Sequence, residues 1–187
     1  AYDYFKIEEG GETGRFYGYK DAGRLFMTNE ELVGLKTIDP KTGTLKYYRD
    51  DYNYERQGDV YIMDLDGDGQ ITADGDRTVI GNANPDFFGG FGSTLYWKGL
   101  MLNAVFSYSD GGDRFWDEEK NSSGDMNVYN TSNRILDSWT VNPGVNASCP
   151  RAMYYGWGSD SIITDRYIHD ASYLRMTALN LSYRLPK

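Results

Sequence analysis

Two stretches of the chain alternate between apolar residues and other residues, and they predict its longest strands. In the first stretch, one face collects Phe91, Ser93, Leu95 and Trp97 and, after the short Lys98-Gly99 turn, Leu100, Leu102, Ala104, Phe106 and Tyr108. In the second, Leu179, Leu181, Tyr183 and Leu185 alternate with Asn180, Ser182 and Arg184. A period of two predicts strands with one apolar face. Transmembrane strand pairs and soluble β-sandwiches both have this pattern, so periodicity alone leaves both open.

Outside these stretches the pattern predicts shorter elements. Residues 1–27 predict strand, turn and strand, and Leu25 to Met27 another short strand. A capping box at Thr28-Asn29-Glu30-Glu31 predicts a short helix over 29–35. Residues 109–165 have little strand character, and a short helix is predicted over 131–139. So long a stretch without strands is typical of a functional loop.

Composition narrows the class of protein. The 187 residues include 17 Tyr and 22 Gly and carry a formal charge of -9, which favours β structure with polar loops. An acidic chain lacks the basic footprint of a nucleic-acid-binding protein. No apolar run is long enough for a transmembrane helix, the N-terminus has no signal peptide, and the lone Cys149 excludes a disulfide within the chain.

The densest candidate chemistry is an Asp-rich loop. Asp64, Asp66 and Asp68 recur at every second residue, and Gly69 follows where an EF-hand loop makes its sharp turn. The candidate calcium ligands are Asp64, Asp66, Asp68, the backbone carbonyl of Gln70, and Asp74 or Asp76, because Gly75 occupies the position of the bidentate Glu. The sequences on either side are strand-like rather than helical. The other interpretation is a metal-free turn of Asp and Gly residues.

Several longer motifs then agree with one family. They are Gly58-Asp59-Val60 leading into Asp64–Ile71, Asp76–Asn82, Asn84–Phe87, Tyr17–Lys20, Asp137–Thr140, and Arg166–Arg175 with Leu181–Tyr183. In this order they resemble the C-terminal half of SusC/RagA-type TonB-linked outer-membrane transporters of Bacteroidetes. The resemblance covers nearly the whole chain.

The resemblance implies an all-β fold: antiparallel strands of a transmembrane barrel of about 22 strands with long extracellular loops. Residues 1–187 would form part of one barrel domain, with an Asp-rich extracellular loop over 58–86, a second over 109–165 and no plug domain. About 22 strands need more residues than this chain has, so it is expected to be an internal piece. Such transporters lie in outer-membrane lipid and import oligosaccharides or peptides. Their partners are a SusD-like surface lipoprotein and, through parts outside this chain, the TonB complex.

Candidates for substrate contact are the loop aromatics Trp116, Trp139, Tyr154, Tyr155 and Trp157, which would also suit barrel girdles or loop cores. The single histidine, His169, is expected to be a strand-end or interface residue. Carboxylates such as Glu118 and Glu119 form no acid/base pair in the sequence, so an enzyme is not expected.

Two alternatives remain from the residues alone. The first is a soluble, calcium-stabilised β adhesin or carbohydrate-binding module, which the Asp loop, the acidic charge and the Tyr content favour. The second is a β-sandwich glycosidase fragment, which lacks a carboxylate pair.

Overall fold

The computed structural model describes residues 5–38, 41–46, 48–49, 57–123, 131–144, 147–152 and 162–185, and most of its regular elements are antiparallel strands. The strands are β1 (Arg15–Tyr19), β2 (Asp21–Leu25), β3 (Thr37–Ile38), β4 (Leu45–Lys46), β5 (Val60–Ile62), β6 (Arg77–Asn82), β7 (Phe87–Trp97), β8 (Leu100–Asp110), β9 (Asp113–Phe115), β10 (Ile168–Asp170) and β11 (Tyr173–Tyr183). Two short helices, α1 (Asn29–Gly34) and α2 (Asp117–Ser123), and 3-10 helices over Asn133–Asp137 and Asp165–Tyr167 complete the described elements. No described helix has both the length and the apolarity needed to span a membrane.

The three strands of 11 residues form one sheet in the order β11-β8-β7, which we call the long sheet. The predicted hairpin is confirmed: β7 and β8 pair along their whole length around the Lys98-Gly99 turn. Directly opposed residues share a face, so the register places Leu95, Leu102 and Leu181 side by side. This face is solvent-exposed, with 62% of Leu95 and 67% of Leu181 accessible.

A bulge between Met176 and Ala178 adjusts the third strand to this face. Below it Met176 lies opposite Phe106, and above it Leu179 lies opposite Ala104, so both belong to the apolar face. Strict alternation would have placed Met176 and Leu179 on opposite faces, because their positions differ by three. One extra residue, Thr177, reverses the parity, and the apolar face continues over all three strands.

The Lys98-Gly99 turn lies at one end of the long sheet. The described residues of 5–86 and 111–172 connect to the other end, where β7 and β11 begin and β8 ends, and we call them the loop assembly. Four two-stranded sheets, β1-β6, β2-β5, β3-β4 and β9-β10, account for its strands. The loop assembly has a small hydrophobic core, to which β1, β2, β5, α1 and the segments between elements contribute: Tyr19, Leu25, Phe26, Leu32, Tyr48, Val60, Ile62, Ile71 and Ile162. The loops therefore have an interior of their own, built from residues far apart in the sequence.

Ion pairs join distant segments of the loop assembly. Arg151 Nε lies 2.5 Å from Asp59 Oδ1, and that carboxylate is almost fully buried. Arg166 Nε lies 2.6 Å from Asp21 Oδ2. Each bond ties a segment that follows the long hairpin to one that precedes it.

The local predictions differ in outcome. The capping box is confirmed, because Thr28 Oγ1 accepts from the Glu31 amide while the Glu31 carboxylate accepts from the Thr28 amide. The strand predicted over Leu25 to Met27 lies earlier, at Asp21–Leu25. The helix predicted over 131–139 is a 3-10 helix over Asn133–Asp137, which leaves Leu136 63% exposed. In a 3-10 helix only every third residue shares a face, so this short turn presents no continuous apolar face.

Candidate metal centre and ligand-contact residues

The Asp-rich loop turns three of its carboxylates towards one point. Oxygens of Asp64, Asp66 and Asp68 lie within 4.8 Å of one another. Calcium ligands lie about 2.3–2.6 Å from the ion, so two on opposite sides are separated by about 5 Å. The three carboxylates therefore fit a calcium ion in spacing and in chemistry.

Backbone amides hold these carboxylates in place. Asp64 accepts from the Gly67 and Gly69 amides at 2.7 and 2.8 Å, and Asp68 Oδ1 accepts from the Gln70 amide at 2.8 Å. The Gln70 amide, and then Lys46 Nζ at 3.2 Å from Oδ2, lower the pKa of the exposed Asp68 carboxyl. Gly67 and Gly69 adopt positive φ angles of 75° and 80°, which permit the tight curl.

Asp76 closes the loop from its other end. Its fully buried carboxylate accepts from the amides of Leu65 and Thr72, both at 2.7 Å. The next residue after Gln70, Ile71, is 1% exposed and belongs to the hydrophobic core, so the loop is anchored at both ends. Asp76 thus joins the two arms of the loop, a structural role that sequence spacing did not reveal.

Asp74 lies on the exposed surface of the loop and is not one of the three converging carboxylates. Lys46, on β4, was not a sequence candidate, although its ammonium contacts Asp68. No sequence signal identifies this partner, because Lys46 and Asp68 are 22 residues apart and meet only through the packing of β4 beside the loop.

The aromatic candidates divide into three groups. Trp139 packs against the backbone of Gly58, where any Cβ would overlap its ring, and it borders the hydrophobic core. Trp116 is 49% exposed, at the junction of β9 and α2. Tyr154, Tyr155 and Trp157 lie outside the described residues.

A charged cluster lies beside Trp116 and contacts it through His169. The carboxylate of Glu119, which is 6% exposed, contacts Arg134 Nη1 through Oε1 and lies 2.5 Å from His169 Nε2 through Oε2. The His169 ring makes an edge contact with Trp116 at a centroid distance of 5.5 Å. His169 is the middle residue of the three-residue strand β10 rather than a residue at its end. Its pairing with Glu119, 50 residues away, depends on the fold.

No protein-family model matches the chain. TonB-dependent receptor P3 of Formosa agariphila is 30% identical over 188 residues, and TonB-dependent receptor P39 of the same organism is 27% identical over 201 residues. These alignments cover 97% and 96% of the chain but only 16% and 19% of the receptors, so the chain spans less than a fifth of either relative.

Two solved structures share the fold. The RagAB peptide importer in its closed-closed state aligns with all of the chain at a TM-score of 0.56 and 21% identity, covering 19% of the matched chain. The RagAB peptide transporter aligns with 92% of the chain at 0.53 and 23% identity, covering 16% of the matched chain. The resemblance to SusC/RagA-type TonB-linked transporters is confirmed.

The predicted fold class is confirmed with it. The long sheet consists of antiparallel strands of the kind that form the wall of a large transmembrane β-barrel, with long loops at one end. The wall is not closed within this chain. Both curated relatives have the names of receptors rather than enzymes.

Proposed function

We propose that this chain is a wall segment of a TonB-dependent outer-membrane transporter, which imports oligosaccharides or peptides together with a SusD-like surface lipoprotein. The observation that carries the proposal is the continuous apolar face of the long sheet. Its strands of 11 residues match the length that crosses a bilayer when tilted. Its leucines are exposed rather than packed on a core.

The two faces of the long sheet support this assignment. The face opposite the leucines bears polar residues, including Thr94, Asn103 and Asn180, which lie next to one another in the register. Asn103 Nδ2 donates to Thr94 Oγ1 at 2.8 Å. A barrel wall places such residues towards the lumen and the apolar face towards lipid. A soluble calcium-stabilised module would instead bury the apolar face.

We place the loop assembly outside the cell and the Lys98-Gly99 turn in the periplasm, because bacterial barrels have short periplasmic turns and long external loops. The test uses the complete transporter in intact cells, with single cysteines at Asp74 on the loop and Lys98 on the turn. A membrane-impermeant maleimide should label D74C and spare K98C until the cells are broken. Labelling of K98C alone in intact cells would reverse the orientation.

Membrane insertion has an independent test. The source protein should require detergent for extraction, with an intact mass several times that of this chain, since the chain spans less than a fifth of its relatives. Recovery of these residues in a small protein of the aqueous fraction would contradict the transporter assignment and favour the soluble module.

We also propose that the Asp-rich loop binds calcium. Asp64, Asp66 and Asp68 would supply carboxylate ligands, the Gln70 carbonyl a fourth, and Asp74 or Asp76 would complete the site. The convergence of three carboxylates supports the proposal. Calcium would replace Lys46 as the positive charge beside Asp68 and would hold the loop against the core.

Calcium titration of the purified transporter tests this site. Added calcium should protect backbone amides of 64–72 from hydrogen exchange, and D66N should abolish the protection. The matched control K98Q changes a charge at the far turn and should leave the protection intact. Equal exchange with calcium and with a chelator would identify the loop as a metal-free turn.

A further inference from the structure

The backbone of Trp116 is hydrogen-bonded to two segments, the helix α2 that follows it and the segment that leads into β10. Its amide donates to the Tyr167 carbonyl at 2.9 Å, and its carbonyl accepts from the Lys120 amide at 3.3 Å. The His169 ring contacts the indole, and Glu119 fixes the position of His169. Despite these restraints about half of the Trp116 surface is exposed. A large aromatic side chain that is exposed, stands on a hydrogen-bonded backbone and contacts a positioned neighbour is suited to contact with a ligand.

The polar groups beside Trp116 are oriented by one buried carboxylate. Glu119 binds Arg134 through one oxygen and His169 through the other, and the side chains of Arg134 and His169 are 49% and 44% exposed. An ionised carboxylate only accepts hydrogen bonds, so His169 Nε2 carries the proton of this contact, and Nδ1 is an acceptor in the neutral tautomer that fits it. The cluster therefore presents guanidinium donors and an imidazole acceptor close together.

This combination selects one kind of ligand. The indole offers a flat apolar face, and neighbouring hydroxyl groups of a sugar ring can accept from Arg134 and donate to His169 at adjacent positions. A peptide group matches less well, because its N–H and C=O point in opposite directions. An anionic ligand would be repelled by the acidic loops, since residues 1–86 and 110–170 contain all 28 Asp and Glu residues of the chain.

We propose that Trp116 is a ligand-contact residue for a neutral pyranose ring of an oligosaccharide, with Arg134 and His169 as its polar contacts and Glu119 as the positioning residue. This inference rests on the proposed transport function and specifies its substrate class. It gives the buried Glu119 carboxylate a role: it holds two side chains from different segments, one of which contacts the exposed indole.

The experiment uses the complete detergent-purified transporter and isothermal titration with maltohexaose, cellohexaose and mannohexaose. A neutral hexapeptide with a central phenylalanine is titrated in the same way for comparison. At least one hexasaccharide should bind, and W116A should weaken it by about tenfold, as expected for loss of an aromatic contact. W116F should retain most of the affinity. Leu136→Ala, at an exposed apolar residue of the neighbouring 3-10 helix, should bind as the parent does.

A double-mutant cycle tests the role of Glu119. E119Q alone should weaken hexasaccharide binding several-fold. In the W116A background it should weaken binding little further, because Glu119 acts by positioning contacts to the same sugar ring as Trp116. Equal effects in both backgrounds would make Glu119 a general structural residue. Unchanged thermal melting of W116A and W116F in detergent verifies that they fold.

Two results would overturn the proposal: no hexasaccharide binds the parent transporter, or W116A binds as tightly as the parent. Binding of the hexapeptide alone, weakened by W116A, would replace the sugar with a peptide ligand. Any of these results with the protein still membrane-extracted would leave the transport function intact. Loss of detergent dependence would contradict that function itself.

Discussion

The long sheet and the loop assembly distribute their apolar residues in opposite ways. In the long sheet, leucines such as Leu95 and Leu181 are more than half exposed, whereas in the loop assembly Phe26 and Ile62 are completely buried. Acidic residues also differ between the two regions: the stretches 87–109 and 171–187, which contain most of the long sheet, have no Asp or Glu. The difference indicates two solvents: hydrocarbon stabilises an apolar exterior, and water requires an apolar interior.

The largest expected effect is in the core of the loop assembly. Phe26→Ala removes a fully buried ring that contacts Tyr48 and Tyr61, and such truncations cost about 3–5 kcal/mol. Hydrogen exchange of the complete transporter should accelerate in β2 and β5 while the long sheet remains protected. V33A, at a largely exposed position on α1, is the control. Simultaneous loss of protection in the sheet would show that the two regions unfold as one.

The reciprocal change is on the apolar face of the long sheet. Leu179→Arg should destabilise insertion into lipid vesicles by about 2–4 kcal/mol, because the charge enters the hydrocarbon near mid-strand. Asn180→Arg, on the next residue and the opposite face, should be tolerated. Denaturant titration of vesicle-folded protein measures both. If Asn180→Arg were the more damaging change, the assignment of the two faces would be reversed.

An intermediate effect is expected at the buried carboxylate of the Asp-rich loop. The Leu65 and Thr72 amides donate to different oxygens of Asp76, so Asp76→Asn, which keeps one acceptor oxygen, removes one of these bonds; a hydrogen bond to a charged group contributes about 1.5–3 kcal/mol. The loss should appear as faster amide exchange in the loop even with a chelator present, because the bonds need no metal. Asp74→Asn, at an exposed neighbour, should have little effect under the same conditions. Exchange unchanged by Asp76→Asn would argue against this structural role.

The smallest effect is a pH dependence at α1. The amide of Met27 and the side chain of Arg24 lower the pKa of the Glu31 carboxyl below its ordinary value of 4.5. A lowered pKa in the folded state gives stability that is present above the ordinary pKa and is lost as pH falls through the folded value. Exchange of the α1 amides should therefore increase as pH falls below about 4.5, after correction for intrinsic rates.

Glu31→Gln provides the control for this pH dependence. The neutral side chain keeps a hydrogen-bond acceptor but does not titrate, so the change with pH at α1 should disappear. A pH dependence as large in Glu31→Gln as in the parent would assign it to another group.

Prediction from sequence succeeded where neighbouring residues decide the structure. Alternation around Lys98-Gly99 defined the long hairpin, and the spacing of Thr28 and Glu31 defined the cap of α1. The Asp-rich loop was found in the same way, because three of its carboxylates lie within five residues. Its metal ligation and the orientation of the loops remain predictions.

Sequence spacing failed where the decisive contact joins distant segments. Glu119 gives no indication of Arg134 or His169, and only the fold brings a helix, a 3-10 helix and a strand to one carboxylate. The shift of parity at Thr177 was also missed, because a bulge is decided by pairing with β8 rather than by its own strand.

The sequence by itself determined the long strands, where their hairpin turns and which residues form the Asp-rich loop, because these follow from periods and spacings of a few residues. The tertiary structure decided that the leucines of three strands join in one exposed face. It also decided that core residues from Tyr19 to Ile162 meet under the loops, and that Asp76 closes the Asp-rich loop. Those contacts depend on which distant segments pack together, and a local pattern of polar and apolar residues is compatible with many such packings.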